Sequence, residues 1–140
     1  MITAILSFLG VVIGALLQYF FTRHIEVQRH RRDLRSKSYM DYLKCVSEQA
    51  QFRLKEDTKE RQELFARTGD AKARICLYGS KKVIEAFSRF EELGAGMITS
   101  EQRQSFTDMV SIMRTDSGSE LGVNSVDLQN VLFRPEKWKT

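Results

Sequence analysis

Two cysteines, two histidines and one Arg-Thr-Asp step are the side chains from which chemistry would have to be built in this 140-residue chain. Cys45 and Cys76 are far apart, each within an apolar stretch of helical spacing. Neither forms a CxxC pair or a metal-ligand spacing, so both are expected to be buried small hydrophobes. His24 and His30 share one basic run. No other histidine remains to act as the base of a Ser-His-Asp or Cys-His arrangement. A zinc site needs more ligands than this, and no Walker loop or GxGxxG cradle occurs. Arg114 and Asp116 place a guanidinium and a carboxylate near a helix C-terminus, where an ion pair or a cap is expected. The reading is a non-enzyme with no catalytic residue, no metal and no cofactor.

One spacing points the other way. Arg23 and His30, with six residues between them, match the loose Arg-x4–6-His pattern of the helical HEPN ribonucleases. That resemblance implies a nuclease pocket built from paired helical hairpins. Here the pair lies in an Arg- and His-rich run, where a solvated basic face accounts for it. A membrane-tethered ribonuclease therefore stands as an alternative.

The element that must carry these basic residues is unusual. Hydrophobic residues make up 42% of the chain, and 16 of them fall in Met1–Phe21. That segment holds no charged side chain. As a helix it would span about 31 Å, the hydrocarbon thickness of a bilayer. It lacks the basic start and small-residue cleavage site of a signal peptide. It closes on Gln18-Tyr19-Phe20-Phe21, an aromatic cluster suited to the headgroup level. Residues 1–21 are thus expected to form a transmembrane helix.

Residues 22–37 follow as a basic juxtamembrane helix. Arg23, Arg29, Arg31, Arg32, Arg35 and Lys37 face only Glu26 and Asp33, and this surplus equals the net charge of the whole chain, +4. The positive-inside rule then places the remainder, residues 38–140, in the cytoplasm and the N-terminus outside. The six cations are expected to meet anionic lipid headgroups, the nearest acidic partner.

Within the leader the five exceptions to apolarity lie on one face. Thr3, Ser7, Gly10, Gly14 and Gln18 recur every three or four residues. Gly10 and Gly14 form a small-xxx-small pair that lets two backbones approach in lipid. The stripe is expected to form a homo-oligomer contact, or a lumen face in a wider ring.

The cytoplasmic residues show helical periodicity and no strand alternation. The first helix is expected from about Thr3 to about Lys55, with Leu34, Tyr39, Tyr42, Leu43, Val46 and Ala50 inward. Asp57-Thr58-Lys59-Glu60 looks like a capping box. It opens a helix with Leu64, Ala71, Ile75 and Tyr78 inward, which Thr68-Gly69-Asp70 is expected to bend or split. Gly79-Ser80 ends it and caps a third helix carrying Val83, Ile84, Phe87 and Phe90. Gly94-Ala95-Gly96 stops that one. Thr99-Ser100-Glu101-Gln102 caps a fourth with Phe106, Met109, Val110 and Met113, stopped by Ser117-Gly118. A short helix over 126–133 precedes Pro135. The fold class is all-α: an N-terminal transmembrane helix continuing into a cytoplasmic antiparallel helical bundle.

The order of apolar leader, basic helix, YMDYL at Tyr39–Leu43, LYGS at Leu77–Ser80, Phe87–Phe90 and MRTD at Met113–Asp116 resembles small bacterial single-span proteins with helical cytoplasmic modules. Some of these are CRISPR-associated or other antiviral accessory proteins. The resemblance implies an oligomeric inner-membrane effector that perturbs or perforates the membrane in stress or antiviral defence. Its trigger would be a cytoplasmic protein, a nucleotide or an RNA. The alternative is a membrane-tethered scaffold that recruits a cytoplasmic partner or nucleic acid.

Overall fold

A computed structural model describes residues 2–51, 58–119 and 122–133, with the first side chain described at position 6 and none at 51. The chain forms α1 (Ile2–Gln51), α2 (Lys59–Tyr78), α3 (Lys81–Glu92), α4 (Ser100–Asp116) and α5 (Ser125–Leu132). No strand occurs among the described residues. The fold is all-helical, as the periodicity predicts. The chain divides into two compact units, Met1–Asp33 and Leu34–Thr140. The second unit takes in Leu34, Arg35 and Lys37 from the segment read as juxtamembrane.

Local signals account for the helix ends. Ser80 accepts a hydrogen bond from the Val83 amide and begins α3. Thr99 and Gln102 make a reciprocal capping box at α4, and Asn124 accepts from the Val126 amide at α5. At α2, Thr58 occupies the N-cap position without a side-chain bond; the capping box expected there turns on Asp57, which lies outside the described residues. Gly79 ends α2 through close approach, since a Cβ there would sit 2.5 Å from the Ile75 carbonyl oxygen. Gly94 and Gly118 end α3 and α4 at φ of +85°, a conformation that disfavours side chains.

Helix α2 runs through Thr68-Gly69-Asp70 without a split. Thr68 is buried, donates to the Leu64 carbonyl at 2.7 Å, and accepts from the Gln49 amide at 2.9 Å. The hydroxyl is satisfied by the helix itself and by α1, so it does not compete with the ladder. Gly69 faces open space on the solvent side.

The second unit closes its own core. Asp41 pairs with Arg74 and Glu48 with Arg67, so α2 runs antiparallel to the later part of α1. Lys72 ties α2 to Glu91 of α3 at 2.7 Å. Inside, Tyr42 meets Phe87 edge-on at 5.0 Å, Phe90 meets Phe106 at 5.3 Å, and Phe106 meets Phe133 at 6.0 Å. Aromatic pairs at these separations contribute beyond their buried area. The expected α4 stripe is buried in full. In α3, Val83, Phe87 and Phe90 are buried with Ala86, while Ile84 is 40% exposed. Tyr78, expected inward, is 38% exposed. In α1, Tyr39 and Tyr42 are buried, Leu34, Leu43 and Val46 half-buried, and Ala50 exposed.

Cys45 is buried as expected, but Cys76 is exposed. The inward stripe of α2 is Leu64, Thr68, Ala71 and Ile75, and Cys76 sits about 100° past it on the helix. A maleimide reagent should therefore modify Cys76 in the folded protein and reach Cys45 only after denaturation. Mass spectrometry of the native and unfolded reactions checks this. Equal modification of both thiols in the native state would contradict the burial.

Candidate functional site

Two arrangements carry the functional argument, one in each unit. In the first unit every described side chain from Leu6 to Asp33 is exposed, including Phe8, Val11, Leu16, Phe20 and Phe21. The apolar stretch in α1 is long and apolar enough to cross a membrane, and none of its apolar window is buried. A core helix of a soluble domain would be covered by its own chain, and this one is not. The stripe residues Ser7, Gly10, Gly14 and Gln18 are exposed; the Thr3 side chain lies outside the described ones. A Cβ added at Gly10 or Gly14 would meet nothing within 4 Å. Both glycines thus present bare backbone on an open helix surface.

Below the apolar stretch, Arg23 donates to the Tyr19 hydroxyl at 3.2 Å, drawing its guanidinium back along the helix toward the aromatic cluster. Long basic side chains commonly reach along an apolar segment in this way. Arg29, Arg31, Arg32, His24 and His30 are all exposed. Arg23 and His30 lie on nearly the same helix face, about 10 Å apart along the axis. Among the described residues, no cluster of three or more His, Cys, Asp or Glu is placed to hold a metal.

The second arrangement was not anticipated. Arg35, expected at the headgroups, is engaged inside the module. Its Nε donates to the Tyr78 carbonyl at 2.8 Å, and its Nη1 donates to Asp116 Oδ1 at 3.2 Å. Tyr39 donates to Asp116 Oδ2 at 2.6 Å and accepts from the Ser80 amide at 3.4 Å. Four helices meet in this network: α1 through Arg35 and Tyr39, the C-terminus of α2, the N-cap of α3 and the C-terminus of α4. The helix dipoles explain why a cation is needed. The carbonyl ends of α2 and α4 are both electronegative, and Asp116 adds a full negative charge to one of them. Arg35 offsets both at once.

Asp116 therefore belongs to an ion pair as expected, but its partner is Arg35 rather than Arg114. Burial raises the Tyr39 hydroxyl well above its ordinary pKa, and the hydrogen bond and charge of Asp116 add to this. Tyr42 is raised in the same direction, first by burial and then by the charge of Glu91. Both phenols are held neutral, Tyr39 as a donor to Asp116. Two signals in the sequence could have raised the network as a candidate: Arg35 and Tyr39 share a helix face one turn apart, and a carboxylate at a helix C-terminus calls for a cation.

At the other end of the module a cavity of about 580 Å3 is lined by Val46, Leu64, Phe65, Met97 and Phe133, with Gln49 and Arg61 among its polar residues. The Arg61 guanidinium lies over the Phe65 ring, 5.5 Å from its centre. Comparison with protein-family models, with curated proteins and with solved structures found no match.

Proposed function

We propose that this protein is a single-span protein of the bacterial inner membrane, with its N-terminus outside, that self-associates through its anchor. It holds a helical module at the cytoplasmic face as a scaffold that recruits a cytoplasmic protein or nucleic acid. The observation that carries this reading is an apolar leader exposed at every described side chain from Leu6 onward, in a chain whose module has a core of its own. Such a leader needs a covering from outside the chain, and its length matches lipid. The basic residues after Phe21 set the orientation. Arg23, Arg29, Arg31, Arg32 and Lys37 meet the headgroups, while Arg35 serves the module.

Self-association uses the Thr3, Ser7, Gly10, Gly14 and Gln18 face. Gly10→Ile with Gly14→Ile puts branched side chains where two backbones would approach. The expected result is roughly tenfold weaker association in the membrane, about 1.4 kcal/mol, read by crosslinking or by energy transfer between labelled copies. An unchanged size distribution would remove this face from the interface.

A second reading is a membrane-perturbing effector in stress or antiviral defence, triggered by a nucleotide, an RNA or a protein partner. The feature favouring it is the presence of Thr3, Ser7 and Gln18 on the small-residue stripe, where a ring wider than a dimer would turn them toward a lumen. Membrane-potential dyes in induced cells separate the two readings. Depolarisation supports the effector, and protection without any change in potential supports the scaffold.

A further inference from the structure

The end of the module at which α1 enters, around Leu34, also carries the turn between α2 and α3. The bonds from Arg35 to the Tyr78 carbonyl and from the Ser80 amide to Tyr39 fix this. At that turn two ordinary preferences are broken side by side. Leu77 is left 75% exposed, with Tyr78 half-open next to it. Lys81 and Lys82 then occupy the first turn of α3, which holds no acidic residue. Cations are disfavoured at the positive end of a helix, so neither lysine is there for the sake of α3. Both are exposed, as is Lys37 on α1 at the same end.

The acids facing this surface do little to neutralise it. Asp116 is paired with Arg35. Glu85 lies 3.7 Å from Lys81 in a solvent-exposed pair, with the lysine side chain 90% exposed. An exposed leucine and tyrosine flanked by lysines have the chemistry of an interfacial contact. The apolar tips suit the boundary between headgroups and acyl chains, and the ammonium groups suit anionic phosphates.

We propose that this end of the module, through Leu77, Tyr78, Lys81, Lys82 and Lys37, docks on the anionic surface of the membrane, a contact separate from the anchor. The proposal rests on the anchored reading given above. Twelve residues, Thr22–Asp33, lie between the apolar leader and Leu34. Whatever their disposition, their contour keeps that end of the module within about 45 Å of the bilayer. Tethering at this range makes even a weak surface contact well populated.

The exposed thiol of Cys76, next to Leu77, provides the probe. A fluorophore on Cys76 of the full-length protein is followed in vesicles whose headgroups carry a quencher. The lipid is phosphatidylcholine alone or a mixture rich in phosphatidylglycerol. The reference position is Ile98→Cys in a Cys76→Ser background, on the α3–α4 turn at the opposite end of the module. Strong quenching is expected at Cys76 in the anionic vesicles, weak quenching at position 98, and relief by high salt. Lys81→Glu with Lys82→Glu should lower the ratio of docked to undocked module by at least about thirty-fold, the worth of two lost lysines near an anionic leaflet, with the repulsion of two added carboxylates on top. These acids suit a helix N-terminus, so the fold is retained, and circular dichroism checks it. Leu77→Gln should weaken docking without changing charge. Equal quenching at both positions, or quenching indifferent to anionic lipid and to charge reversal, overturns the docking. If the protein then still resists carbonate extraction, the anchor reading stands alone. If the protein does not stay with the vesicles at all, both fail together.

Discussion

Replacing Val12 and Ile13 with arginine should move the protein out of the membrane fraction while leaving its module folded. Both residues lie in the middle of the uncharged leader, 41% and 50% exposed and covered by nothing in their own chain. A single arginine at the centre of a membrane helix costs about 2.5–3.5 kcal/mol on insertion scales, so two cost about 5–7 kcal/mol. At 1.4 kcal/mol per factor of ten, that is a loss of roughly four to five orders of magnitude in the inserted population. Carbonate extraction of whole membranes measures the change. The wild-type protein should stay in the pellet with a C-terminal tag protected in spheroplasts, and the variant should appear in the soluble fraction or be degraded. The two explanations of a long apolar helix part company here. A leader packed into a soluble core would carry the module with it, and the arginines would unfold both. A leader held by lipid leaves the module's melting transition unchanged. Equal membrane retention of variant and wild type would overturn the anchor.

The elements of this fold were legible because they obey local rules. Phe106, Met109, Val110 and Met113 recur at helical spacing and are all buried, and Thr99 and Gln102 sit at the spacing of a capping box and form one. The misreadings occurred where tertiary partners override local pattern. Gly69 in a polar triplet looked like a break, but Thr68 is fixed by Leu64 and Gln49 and the helix runs through. Cys76 looked apolar and inward, but it falls off the stripe by one residue. Arg35 was hidden by company: five other cations surround it in sequence, and composition alone treats them alike. Only the packing of α4 shows that its carboxylate partner lies 81 positions away along the chain. The small-residue stripe of the leader has the opposite difficulty. Its pattern is visible in the sequence, but Ser7, Gly10, Gly14 and Gln18 are exposed, so one folded chain leaves the stripe open.

The largest loss of stability from a single polar substitution is expected at Asp116. Its two oxygens bind Arg35 and Tyr39, with side-chain exposures of 16% for Asp116 and 30% for Arg35. Breaking a fully buried pair costs about 3–5 kcal/mol; partial exposure here reduces the expectation for Asp116→Ala to about 2–3 kcal/mol. In a module of about 100 residues that corresponds to a fall of roughly 10–20 °C in Tm. The cost arises because the Tyr39 hydroxyl, buried, loses its acceptor, and because Arg35 keeps its charge beside the α2 terminus without a counter-ion. Asp116→Asn should cost less, since an amide oxygen still accepts from Tyr39. The decisive measurement is the double-mutant cycle. Asp116→Ala made on top of Arg35→Ala should cost well under its effect in the wild type. Strict additivity would mean that the contact contributes nothing as a unit. The pH dependence has a definite sign. The raised Tyr39 contributes stability that is fully present below the unfolded tyrosine pKa, about 10, and is lost as pH rises through the higher folded value. Thermal melts should therefore weaken above about pH 10. Tyr39→Phe removes the titrating hydroxyl and should flatten that alkaline slope, leaving the share due to Tyr42, whose hydroxyl is raised in the same direction. A slope unchanged by Tyr39→Phe would place the alkaline sensitivity elsewhere and separate the packing of Tyr39 from its bond to Asp116.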